Sequence, residues 1–219
     1  MKEHFEKNKR QILMTITHLN RFHLRAVRKD TKVSELSLDN IFAKIIIGLW
    51  VSLLEVEYEL LNSKVGLKKE KDSLKDKYLK LVDRLFQEKY LNNSGKNINQ
   101  RNLGHDSYQR YKTLNDIINN ELGNFIEIRN KIAHGQWHVA FSDSGNVNNE
   151  ITAHVWKLSK KDLLILKTLV INIPAILNIL FQSKKTFERD FDKIINKVLL
   201  SKEDNEIRFG WLKNKTRKI

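Results

Sequence analysis

Leu114-Asn115-Asp116-Ile117-Ile118-Asn119-Asn120-Glu121-Leu122-Gly123-Asn124-Phe125-Ile126-Glu127-Ile128-Arg129-Asn130-Lys131-Ile132-Ala133-His134-Gly135 decides the fold of this chain. Leu114, Ile117, Ile118, Leu122, Phe125, Ile128 and Ile132 recur every three or four positions, the repeat of a helix with one continuous apolar face. Gly135 is the stop signal, because glycine takes the left-handed conformation that closes a helix. At about 100° per residue, Gly123, Glu127, Asn130 and His134 fall on one stripe away from that face, and Arg129 lies at its border. The small residue in the stripe leaves room for a second surface to approach.

Working outward, the same period predicts a helical bundle. A first helix runs from about Lys7 to Arg28, with Ile12, Ile16, Leu19 and His23 inside and Arg21, Arg25 and Arg28 outside. A polar connection through Asp30 to Ser34 leads to a second helix, about Ser37 to Asn62. Its centre, Ile45-Ile46-Ile47-Gly48-Leu49-Trp50-Val51, is apolar nearly all round, which places it in the middle of the core. A third helix spans about Lys68 to Tyr90, with Leu74, Tyr78, Leu81, Leu85 and Phe86 inward. Residues 92–110 read as a long polar loop whose Lys96, Arg101, Tyr108 and Arg110, with Tyr111 beside it, mix cations with rings able to stack on unpaired bases. An uninvolved surface loop is the alternative.

Beyond Gly135 the period changes to two. Trp137, Val139 and Phe141 alternate with polar or small residues, as do Ile151, Ala153 and Val155, so residues 137–156 read as a β-hairpin appended to the bundle. Histidines 138 and 154 would face each other on it. No carboxylate or thiol stands at ligand spacing, so no metal is expected. Leu163 to Phe181 is the most apolar stretch, but Lys167, Asn172, Pro174 and Asn178 interrupt it, which predicts a buried helix broken or kinked near Pro174 rather than a membrane span. Lys184 to Leu200 adds a covering helix, and residues 208–219 a fraying basic tail.

Composition agrees with a mostly α fold of five or six helices in one domain, residues 1–219. One proline and eight glycines are too few for the turns of a sandwich or barrel. A hydrophobic content of 41% over 219 residues suffices for a core. Forty Lys and Arg against 26 Asp and Glu give a net charge of +14, which points to a polyanion, nucleic acid before membrane. With no cysteine, disulfides, thiol nucleophiles and Cys-ligated zinc are excluded, and a reducing cytoplasm fits. The first residues, Met1 to Glu6, carry no apolar signal-peptide segment. No phosphate-binding glycine loop, nucleophile elbow or internal repeat is present, and no cofactor is expected.

Arg129, Asn130 and His134 bring a fixed cation, an amide and an imidazole to one helix end, a set suited to cleaving RNA without a metal. Imidazole titrates near neutral pH and can both take and give a proton, worth roughly 10²–10⁴-fold in rate. Guanidinium holds phosphate bidentately and keeps its charge. The phrase Glu127-Ile128-Arg129-Asn130-Lys131-Ile132-Ala133-His134-Gly135 resembles the motif of the HEPN superfamily, whose ribonuclease members carry Arg, a polar residue and, after a short spacer, His. The resemblance implies a helical bundle that dimerises so that two motifs meet in a composite cleft. There an RNA 2′-hydroxyl attacks the adjacent phosphate and leaves a 2′,3′-cyclic phosphate. By the same resemblance His134 would be the general acid/base, Arg129 would hold phosphate oxygens, and Asn130 would orient the imidazole or the 2′-hydroxyl; Glu127, added from its place on the stripe, would support the histidine. Family members are commonly toxins or antiphage effectors, so an antitoxin or defence-system partner protein is also implied.

Two other readings stay open on the same residues. A non-catalytic HEPN-like module would bind RNA or a partner protein. A purely structural protein would lock Arg129 in an internal salt bridge and bury His134 as a helix cap, where the dipole favours imidazolium by ~0.3–1 kcal/mol.

Overall fold

The structure, a computed structural model, describes residues 2–27, 38–67, 71–94, 96–142 and 144–216, with side chains described over 3–23, 38–67, 71–94, 96–142 and 144–201. The chain is mostly helical: α1 (Lys2–Val27), α2 (Leu38–Val65), α3 (Leu74–Leu91), α4 (Gln100–Leu103), α5 (His105–Asp116), a π-helical segment (Ile117–Leu122), α6 (Gly123–Ala133), α7 (Asn149–Lys157), α8 (Lys160–Gln182) and α9 (Lys184–Thr216). Arg28, the connection at 30–34, and the side chains of Arg25 and of residues 208–216 lie outside the described residues.

As its all-round apolar centre predicts, α2 is the hub. It packs on α1, α8 and α6, and Ala43, Ile46, Ile47, Val51 and Leu54 are fully enclosed. α8 lies between α2 and α9, running unbroken from Lys160 to Gln182 with Pro174 inside and buried. Of the break or kink expected near Pro174, the break is absent, although proline can donate no hydrogen bond to the Val170 carbonyl. By length and composition α8 could cross a membrane, yet Leu166, Ile173, Ile176 and Leu177 are enclosed in the bundle core. The second expected interior position on α1, Ile16, is buried, and so is His23, whose Nε2 lies 2.5 Å from Asp39 Oδ1.

Two sequence expectations are corrected here. Residues 137–156 form no hairpin: among the described residues there is no strand, only one antiparallel bridge between Phe141 and Val147. The second half is a helix, because Asn148 caps its start by accepting from the Ile151 N–H at 3.0 Å, and Ile151, Val155 and Leu158 then face the core at helical spacing. The alternation of Ile151, Ala153 and Val155 was a coincidence of short length. Residues 92–110 are likewise not a loop throughout. Asn99 accepts from the Asn102 N–H at 2.9 Å to start α4, and Gly104, at φ 79°, joins it to α5 in a conformation that side-chain-bearing residues rarely adopt. At the other end of the chain, the backbone of α9 is helical through Thr216.

Candidate functional site

α5, the π segment and α6 make one rod. The π turn lets Gly123 N–H reach back five residues to the Ile118 carbonyl, and single π turns in α-helices are frequent at functional sites. This local underwinding alters the face reading past Leu122: Ile126 is buried, whereas Phe125 is only half-buried. The end of α6 is a double-bonded glycine stop. Gly135 N–H donates to Ile132 O at 3.0 Å and Gln136 N–H to Lys131 O at 2.9 Å, with Gly135 at φ 78°. His134 sits at the C-cap, its backbone N–H on Asn130 O at 3.0 Å, and its side chain is exposed.

The predicted stripe is a wall of one open cleft. Gly123, Glu127, Asn130 and His134 all line it, and its volume of about 620 Å³ falls within the ~300–1,000 Å³ of small-ligand sites. The opposite walls come from the first turn of α3, with Ser73 and Lys75, and from the segment after α6, with Gln136, Phe141 and Ser142. That segment is pinned on both sides. Lys44, buried on α2, donates from Nζ to the Trp137 carbonyl at 2.8 Å. Phe141 N–H donates to Gln136 Oε1 at 2.8 Å, and buried Ala140 donates its N–H to Thr152 Oγ1 at 3.0 Å.

Arg129 leaves the helix toward α2, where its guanidinium pairs with Glu55, and it does not line the cleft. Its Nε is buried without a hydrogen-bond partner among the described residues. Of the two features expected of a structural protein, the internal Arg129 salt bridge is present and the buried His134 is not. Gly123 does not offer its open side to another molecule either. A Cβ there would stand 3.0 Å from Lys75 Cδ and 3.2 Å from the Ile118 carbonyl oxygen, so the surface it admits is α3 of the same chain.

The expected base-stacking segment lies apart from this cleft, and its rings are engaged. Tyr111 is half-buried, stacked 6.2 Å from Tyr108, and donates its hydroxyl to Asp83 at 2.7 Å; burial first, then that carboxylate, push its phenol well above the usual range. The Arg110 guanidinium lies 6.0 Å over the Phe191 ring. Lys96 and Arg101 are exposed. The histidines of the supposed hairpin do not gather: His138 packs its ring 5.2 Å from Trp156, and among the described residues no three His, Asp or Glu cluster as ligands.

Sequence reasoning missed Lys75, Gln136 and Phe141. Ser73 followed by Asp76 is a readable helix start, and the structure shows Ser73 Oγ accepting from Asp76 N–H at 3.2 Å. That start fixes where Lys75 leaves α3, but no local pattern says that α3 faces α6. No family model, curated protein or solved structure matches this chain.

Proposed function

We propose that the protein is a metal-independent endoribonuclease of HEPN type that cuts single-stranded or looped RNA. The observation that carries this reading is the convergence of Glu127, Asn130 and the exposed His134 on one cleft of nucleotide size, at the end of the helix that bears the motif. An imidazole takes the 2′-hydroxyl proton, the 2′ oxygen bonds to the adjacent phosphorus, and the P–O5′ bond breaks. The departing 5′ oxygen receives a proton, leaving a 2′,3′-cyclic phosphate and a 5′-hydroxyl. Asn130, one helical turn before His134, orients the imidazole or the nucleophile, and Glu127 supports it from the turn before. Association of two copies about a two-fold axis would set a second imidazole opposite the first. Growth arrest on expression, relieved by a partner protein, is the corresponding role in a toxin or defence system.

The Arg129–Glu55 ion pair takes the motif arginine out of the cleft, which is the feature expected of a purely structural protein, and it equally suits a second reading, a non-catalytic HEPN-like module that binds RNA or protein. One experiment separates the two. Purified protein is incubated with labelled single-stranded RNA in EDTA and the product ends are analysed. The ribonuclease gives cyclic phosphate ends, and His134→Ala abolishes them with an unchanged circular-dichroism spectrum. RNA left uncut by the wild type both in EDTA and with an added divalent ion removes the ribonuclease reading, and cleavage seen only with the divalent ion removes the metal-independent mechanism.

A further inference from the structure

We infer that the cleft is a site for one unpaired nucleotide, in which Lys75 pairs with the phosphate and Phe141 stacks on the base; this rests on the ribonuclease reading for its substrate class. A phosphate beside His134 needs a cation, and Arg129 is turned away onto Glu55. Lys75 enters from α3 across the face of α6. Its stem passes where Gly123 has no side chain, 3.0 Å from the place a Cβ would take, so the glycine and the lysine are one arrangement. Along α3 the next lysines are held elsewhere, Lys77 lying 5.8 Å from the Tyr58 ring centroid and Lys80 on Asp72 at 2.8 Å, while Lys131 lines the cleft from α6. Lys75 takes part in no ion pair among the described residues, and it lines the same cleft as Asn130 and His134.

Phe141 supplies the other half. It is 40% exposed and lines the cleft, although a phenylalanine gains by burial. Its backbone is held by the Gln136 side chain and by the bridge to Val147, so the ring is presented from a fixed frame. An aromatic face beside a phosphate-holding cation is the combination that binds single strands without strong sequence preference. A base reaches such a ring only when unpaired, since in a duplex both of its faces are already stacked.

The test uses the full chain and a 2′-O-methyl single-stranded RNA, which lacks the attacking hydroxyl, so that binding is read without cleavage. Fluorescence anisotropy should show Lys75→Gln and Phe141→Ala each weaker by about tenfold, within the ~5- to 150-fold range of a lost base stack for the phenylalanine. Lys75→Arg and Phe141→Tyr should restore binding. Lys75→Gln should also lower the salt slope by about 0.7 log units while Phe141→Ala leaves it unchanged, and a duplex of the same sequence should bind like the Phe141→Ala variant binds the single strand. Wild-type affinity in both variants, or no binding by the wild type, overturns the site. Binding that follows the expected pattern while unmodified RNA stays uncut supports the site and sinks the ribonuclease reading; cleavage with both variants binding normally does the reverse.

Discussion

Arg129 and His134 are five positions apart, and five steps of an α-helix turn the side chain by about 140°. They therefore leave α6 in different directions, one to α2 and one to the cleft. The sequence placed Arg129 at the border of the apolar face, which is where it lies. What it could not show is the choice made at that border, because the partner, Glu55, is 74 residues away and is reached only once α2 packs on α6. The Arg129 side chain is mostly covered and that of Glu55 about half exposed, so the pair lies between the surface and interior cases. Arg129→Ala should cost about 1 kcal/mol, with Glu55 rehydrating in place. Urea denaturation of Arg129→Ala, Glu55→Gln and the double variant measures it; a coupling energy near zero would mean that the pair is incidental. If Arg129 serves the reaction by leaving Glu55, Glu55→Gln should raise the cleavage rate, and a fall would assign the arginine to the scaffold.

At the scale of elements, periodicity read the long helices well and the short ones poorly. α2, α3, α8 and α9 each offer several turns over which a repeat of 3.6 separates from one of 2. The segment 149–157 offers nine residues, in which either period fits a few apolar positions. Its helix is settled by tertiary partners that no local pattern announces. Asn40, buried on α2, donates from Nδ2 to the carbonyls of Val155, Trp156 and Leu158 at 2.9, 3.1 and 3.1 Å, satisfying the end of α7. Four residues on, Lys44 holds Trp137, so one face of α2 grips both ends of the segment that carries Phe141. Asn40→Ala should destabilise the fold by roughly 1–3 kcal/mol, since the buried hydrogen bonds to the Val155 and Leu158 carbonyls and the part-buried one to Trp156 lose their donor. Thermal denaturation reads the loss, and hydrogen exchange should place the first opening in α7. Protection lost equally everywhere would argue against a local clamp.

For the whole molecule, the bundle was legible because scarce glycine and proline leave few ways to turn, and one apolar cluster does draw on α1 through α9. The distribution of charge was not. A net +14 establishes an attraction for polyanions but no path, and packing removes some cations from service. Arg110, expected to guide RNA, lies against Phe191, whereas Lys96 and Arg101 remain in solvent. Binding of a single strand should fall steeply with salt, by about 0.7 log units per phosphate contact. Substituting Lys96 and Arg101 by Ala tests whether the strand continues from the cleft along α4. If it does, the slope drops by up to ~1.4 for the two contacts, and adding Arg110→Ala changes stability through the lost Phe191 contact more than it changes the slope. An unchanged slope in both variants would confine recognition to the cleft, where Lys75 then accounts for the salt dependence.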